Sequence, residues 1–223
     1  MNLLKDPIPG LIKKIALPAS IGTLFQTLFN IVDTFFAGTI SAEALSALAK
    51  SFPIYFIIIA ACVGVTVGGT SLIANSIGEN NKSKIHGYFA HTIIYAIIVS
   101  IFITAVGLFF APYLFESMGS ETEVVQLGLS YTNVVFSGSI VFIMLVALNS
   151  LLHADGDTKT YRNVLILSFF LNILFNPLFI FGFGPIPAFG ISGIGIATIL
   201  AQFIGLVIVF IKASNSIRIK NIS

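Results

Sequence analysis

The sequence predicts an all-α integral membrane protein built as a six-transmembrane-helix bundle. Two observations carry that prediction. Apolar residues make up 57% of the 223 residues and charged ones only 9%, against roughly 25% charged in soluble domains, and the mean hydropathy is +1.02. The apolar residues also fall into six runs, each long enough for the roughly 20 residues a helix needs to cross a bilayer core. Runs of this length, without alternation, do not fit the strands of a membrane β-barrel.

The first span, Ile15–Ala37, follows Lys13 and Lys14 and contains Pro18 and Asp33. A cleaved signal peptide has a shorter apolar region, about 7–15 residues, so no signal peptide is expected. The second span, Phe52–Ile77, comes after GTISAEALSALAK, and the third, Tyr88–Leu114, after GENNKSKIHG. FESMGSETE precedes the fourth, Val124–Leu152, and HADGDTKTYRN the fifth, Val164–Phe183. GFGPIPAFGISG leads into the sixth, Ile191–Ile211. With the N-terminus inside, the cytoplasmic segments hold Lys5, Lys13, Lys14, Lys82, Lys84, Lys159, Arg162, Lys212, Arg218 and Lys220, and of the 11 basic residues only Lys50 lies outside. The positive-inside rule therefore places both termini in the cytoplasm. The glycosylation sequons at Asn81 and Asn221 fall on that same side and carry no weight.

Asp33 is the only Asp, Glu, Lys or Arg within the six spans. A carboxylate at membrane depth costs at least about 2.5–3.5 kcal/mol, so its retention points to an ion, a proton or a polar substrate. Thr23, Gln26, Thr27, Asn30, Asp33 and Thr34 recur at helical spacing and form one polar face. Such a face cannot meet lipid and must turn toward other helices or a water-filled cavity. The threonines are expected to hydrogen-bond neighbouring helices. Pro18, in the same span, removes a helical hydrogen bond and tends to kink the helix, as tolerated membrane prolines commonly do.

The fifth span carries Ser168, Asn172 and Asn176 at four-residue steps, followed by Pro177. Their amide oxygens can coordinate sodium or accept a hydrogen bond from a protonated acid. Tyr131 and Asn149 lie near opposite ends of the fourth span; Thr198 and Gln202 are one turn apart in the sixth. Gly64 and Gly68 form a GxxxG pair that reads as a close helix contact. Cys62, the single cysteine, cannot form an intrachain disulfide and reads as a packing residue. His86, His91 and His153 lie near the cytoplasmic span ends, none with a partner at ligand or triad spacing. No metal site is expected, apart from Na⁺ at Asp33. The sequence has no phosphate loop, GxSxG or HExxH, so neither an enzyme nor ATP hydrolysis is expected. Any transport must draw on an ion gradient, and no cofactor is expected beyond the coupling ion, H⁺ or Na⁺.

Several stretches together resemble the multidrug and toxic compound extrusion (MATE) family of cation-coupled antiporters. IALPASIGTLFQTLFNIVDTFFAGTIS resembles its opening helix, and GGTSLIANSIGENNKSK the end of its second helix and the following loop. LNSLLHADGDTKTYRN resembles the loop after its fourth helix, and LNILFNPLFIFGFGPIPAFGISGIGIATILAQ its fifth and sixth. The resemblance implies that residues 1–223 form one lobe, the N-terminal one, of a twelve-helix transporter with a central cavity. It matches Asp33, Asn172, Asn176 and Thr198 to the cation-coupling positions. Gln26, Asn30, Tyr131 and Asn149 fall to the polar or substrate-lining cavity, and Pro18 to the helix hinge. Asn176 stands where many members have a second acid, which favours proton coupling over a sodium cage. His153 stands where an arginine is frequent, and Tyr161 where a proline is.

The implied function is secondary active export of amphipathic, cationic drugs or toxins in exchange for H⁺ or Na⁺. A lipid-linked oligosaccharide flippase of the same superfamily would line its cavity with several Arg or Lys, and neither lies within a span. A non-transporting scaffold would tolerate Asp33→Leu. The expected partners are a small-molecule substrate, the lipid bilayer and a second six-helix lobe, with no nucleic acid. The expected location is the plasma membrane, multi-pass, of bacterial inner-membrane type. At half the family's length, the chain reads as a fragment or truncated gene, an excised piece, or a half-transporter that pairs.

Overall fold

The structure, a computed structural model, describes residues 8–119 and 121–216. Lys5, Arg218, Lys220 and Asn221 lie outside the described residues, as does the side chain of Lys14. The described chain is a bundle of seven helices: α1 (Ile8–Ile40), α2 (Ala42–Gly78), α3 (Lys82–Ser117), α4 (Thr122–Ser137), α5 (Ser139–Ala154), α6 (Thr158–Phe181) and α7 (Ile191–Ser214). Among them α2, α3, α6 and α7 are each long and apolar enough to cross a membrane. α4 and α5 together pass as one further crossing, bent by 41°. α1 packs chiefly on α6 and also against α2 and α7.

The fourth predicted span is thus two helices and not one. The chain bends at Gly138, where a Cβ would stand 2.3 Å from Ile199 Cδ1 of α7. At the bend the Thr104 hydroxyl of α3 donates to the Phe136 carbonyl at 2.8 Å and lies 2.8 Å from Ser139 Oγ. Ser139 Oγ in turn lies 3.3 Å from the Ser100 carbonyl oxygen, to which it donates. The Thr104 hydroxyl and the Ser100 carbonyl of α3 therefore hold both sides of the break.

Short side-chain caps start three of the helices. Ser41, Asn81 and Asp157 accept hydrogen bonds from the backbone N–H groups of Ala44, Lys84 and Thr160 at 3.0, 3.1 and 3.0 Å. Each satisfies one of the donors that a helix start leaves open. Between α2 and α3, Lys84 Nζ lies 2.7 Å from Glu79 Oε2, and that hydrogen bond raises the pKa of the exposed ammonium. After α6 the chain folds back on itself. Gly182 has φ 77°, and a Cβ there would stand 2.8 Å from Ala188 N and Ile186 O. The N–H groups of Phe189 and Gly190 then donate to the carbonyls of Phe179 and Ile180, fixing where α7 begins.

α5 is the most enclosed element, with 11 of its 16 residues buried. It packs against α2, α3 and α7 around Ile143, Leu151 and Ala147. The bundle's outer surface carries Phe102, Phe109, Phe170 and Phe210, all exposed, as a lipid-facing surface requires. One packing expectation is corrected: Gly64 and Gly68 are exposed, and a Cβ on either would meet nothing within 4 Å. The close approach is made next door at Gly69, where a Cβ would stand 2.7 Å from Thr92 Cγ2 of α3 and 3.0 Å from Ser150 Oγ of α5.

Candidate functional site

Asp33 of α1 is 6% exposed and faces α6 and α7. Asn172 and Asn176 sit one turn apart on α6, and their Nδ2 groups donate to Asp33 Oδ1 at 2.8 and 3.0 Å. The Thr198 hydroxyl of α7 donates to Asp33 Oδ2 at 3.1 Å. An ionised carboxylate only accepts hydrogen bonds, so three donors from two other helices satisfy its charged form. Ser168, a turn before Asn172, donates to the Ala201 carbonyl at 3.3 Å and ties α6 to α7 instead.

The sequence expectation had the amide oxygens turned toward the acid; here the nitrogens are. Asn172 Oδ1 and Asn176 Oδ1 are buried without a hydrogen-bond partner. Turning either amide by half a revolution would set an oxygen where a donor now stands, about 3 Å from the carboxylate. The group can thus hold an anionic carboxylate as it stands. With an amide turned, it can offer oxygens to a proton on Asp33 or to a small hard cation.

A cavity of about 330 Å³ opens beside the carboxylate. Gln26, Asn30, Tyr131 and Thr198 line it, with Phe29, Tyr55 and Phe52 as apolar and aromatic wall. Asn30, Thr34 and Phe52 are exposed, so this chamber opens on the bundle surface. Asn149 is not brought to Asp33. It lines a second chamber of about 330 Å³, with Cys62, Thr66, His153 and Tyr161. Gln26, Tyr55 and Gln202 belong to both chambers. Cys62 both packs on the main core and borders this space. Pro18 is buried within α1, 15 positions before Asp33, and makes no part of either chamber wall.

The threonines of the α1 stripe do not bond neighbouring helices as expected. The hydroxyls of Thr23, Thr27 and Thr34 donate to the carbonyls of Ala19, Thr23 and Asn30 on their own helix, and all three residues are exposed. A backbone carbonyl one turn back is nearer to a threonine hydroxyl than any partner helix, and it takes the bond. Tyr55 and Ser51 were missed from sequence as cavity residues. Tyr55 signals itself only by a hydroxyl within an apolar stretch of α2, and Ser51 stands beside Lys50 just before the second predicted span.

The chain is 29% identical over 205 residues to a protein of Shewanella oneidensis named FAD transporter, covering 92% of this chain and 45% of that one. It is 30% identical over 204 residues to a probable multidrug resistance protein NorM of Thermotoga maritima, covering 90% and 44%. Its fold is similar to a solved outward-facing multidrug resistance MATE family transporter, with a TM-score of 0.81 at 31% identity, over 89% of this chain and 43% of that one. A MOP superfamily transporter from Pyrococcus furiosus superposes with a TM-score of 0.83 at 30% identity, over 94% and 45%. The chain therefore spans about half the length of the curated relatives it matches, and its architecture is that of one lobe of such a transporter. It is a multi-pass membrane protein. The description MatE fits residues 18–178, a stretch that runs from the buried Pro18 to just beyond Asn176, and the chain belongs to that family.

Proposed function

We propose that this chain is the N-terminal lobe of a secondary active antiporter. It exports amphipathic organic cations from the cytoplasm across a bacterial-type plasma membrane in exchange for H⁺ or Na⁺. The observation that supports this reading most is the buried carboxylate of Asp33, held by Asn172, Asn176 and Thr198 at the wall of an open cavity. A lone acid in an apolar helix is costly, and the bonds to this one tie α1 to α6 and α7. The relatives named for multidrug resistance support drug export as the cargo class. The relative named FAD transporter raises an anionic cargo. The open chamber's one charged wall group is a carboxylate, which attracts cations and repels that class.

The coupling proceeds as follows. Asp33 takes a proton or Na⁺ while the cavity faces outward, and loses its charge or gains a counter-charge. Its three donors are then free to turn, α1 rearranges about Pro18, and the reshaped cavity releases cargo. Each unit charge crossing 100 mV contributes about 2.3 kcal/mol, enough to drive exchange. A proton is the favoured ion, because one carboxylate with two amides offers a weak cage for bare sodium. The exposed stripe of Gln26, Asn30 and Thr34 calls for a second six-helix lobe, in the same chain or another, to close the cavity against lipid.

The test is Asp33→Asn in a protein carrying both lobes, reconstituted in vesicles with an imposed H⁺ or Na⁺ gradient. Gradient-driven efflux of a fluorescent organic cation should disappear. Efflux at the wild-type rate would refute the reading, and the gradient that drives the wild type identifies the ion.

A further inference from the structure

The second chamber has no part in the coupling scheme above. Helix direction places it. α1 and α2 meet at Ile40 and Ala42, the end that the basic residues put outside. Asp33 is seven residues from Ile40 on α1, and Gln26 lies seven residues deeper, about 10 Å at helical rise. α5 ends at Ala154 and α6 begins at Thr158, the basic, inner end. His153 and Tyr161, which line the second chamber, stand at that end, with their rings 5.8 Å apart. Along the bundle axis the order is therefore Asp33 and Thr198 outermost, Gln26, Tyr55 and Gln202 between, and His153 and Tyr161 innermost.

Ile58, Ile59, Val63, Phe142 and Leu145 make much of its wall apolar, but two polar features stand within it. Asn149 sits one turn above His153 on α5, is 1% exposed, and its Oδ1 is buried without a hydrogen-bond partner. A buried amide oxygen left dry costs about 1–3 kcal/mol, and a water or hydrated ion removes that cost. The partition from Asp33's chamber carries the amides of Gln26 and Gln202 and the Tyr55 phenol, groups that can pass hydrogen bonds across it.

We propose that the second chamber is an aqueous vestibule, open at the His153 end, through which Asp33 exchanges its small cation with the cytoplasm. The outer chamber then receives the ion and the inner one discharges it, on one axis within a single lobe. His153, lining the inner mouth beside Tyr161, is the imidazole a departing proton meets there. The inference rests on Asp33 as the coupling residue, but its test does not require transport.

Cys62 is the single cysteine of the chain and lines the vestibule. A small, charged, membrane-impermeant methanethiosulfonate is applied to right-side-out and inside-out vesicles holding the protein, and the thiol modified is measured by mass. Thiols react as thiolates, which form only where water reaches, so modification should be about tenfold faster or more from the cytoplasmic side. A second probe, Thr66→Cys in a Cys62→Ala chain, keeps the result from depending on one thiol's reactivity. Modification at an equal or greater rate from outside, or failure of both cysteines to react from inside, would overturn the vestibule. Failure of the Asp33→Asn transport test with inner labelling intact would instead remove the coupling role and leave the vestibule standing.

Discussion

Asn172 Nδ2 donates to Asp33 Oδ1 across 2.8 Å, although the two residues stand 139 positions apart in the chain. The bond joins α1 to α6 at the bundle's one buried carboxylate among the described residues. A hydrogen bond to a charged group contributes about 1.5–3 kcal/mol. Asn172→Ala should therefore lower unfolding stability by that amount, but by about 1 kcal/mol or less on an Asp33→Asn background, where the acceptor is neutral. Unfolding of the two single variants and the double variant in detergent measures the coupling. Additive losses would mean that the contact contributes nothing specific.

Asn176 lies 3.0 Å from the same oxygen. Asn176→Asp would set two carboxylates around one site, where like charges repel unless a cation lies between them. The variant should be less stable than the wild type in sodium-free buffer. It should regain stability as Na⁺ is added, by about 2.7 kcal/mol at a hundredfold excess over its dissociation constant. The wild type should respond less. Equal sodium responses in thermal unfolding would show that the second acid does not build a sodium site here.

The four residues at this carboxylate were legible in the sequence because each carries a local signal. Asp33 is a charge in an apolar run, Asn172 and Asn176 keep helical spacing, and Thr198 pairs with Gln202 one turn on. What joins them is tertiary, and the family resemblance supplied it. The break at Gly138 was not legible, since the apolar run continues through it and the side chain that demands glycine, Ile199, comes 61 positions later. Tyr55 was passed over because one hydroxyl in FPIYFIII reads as core. Each chamber is built from side chains of five helices, and no single stretch encodes either.

The Gly64–Gly68 pair shows how a motif can name the wrong face. Which side of α2 is packed depends on α3 and α5, and they meet Gly69. Gly64→Ala should therefore leave stability unchanged or raise it by up to about 1 kcal/mol through helix propensity. At Gly193, by contrast, a Cβ would stand 2.5 Å from the Phe179 carbonyl oxygen. Backbone cannot step aside as a side-chain tip can, so Gly193→Ala should cost about 1–3 kcal/mol or more. Thermal unfolding of the two alanine variants side by side checks the contrast; equal losses would restore the GxxxG contact.

Thr104 is the clamp on the bent crossing. Its hydroxyl donates to the Phe136 carbonyl on one side of the bend and touches Ser139 Oγ on the other, each at 2.8 Å. Thr104→Val keeps the shape and deletes both contacts, leaving the carbonyl and the serine short of a partner in a partly buried place. Such a loss costs about 1–3 kcal/mol. Thr104→Ser keeps the hydroxyl and should retain most of the stability. The effect should be local as well. In hydrogen exchange, the backbone amides just after Gly138 should open faster in the valine variant, while those in the middle of α7 keep the wild-type rate. Uniform acceleration along all helices would show that the valine loosens the bundle as a whole, and that the 41° bend is held by the packing of Ile199 and not by the Thr104 hydroxyl.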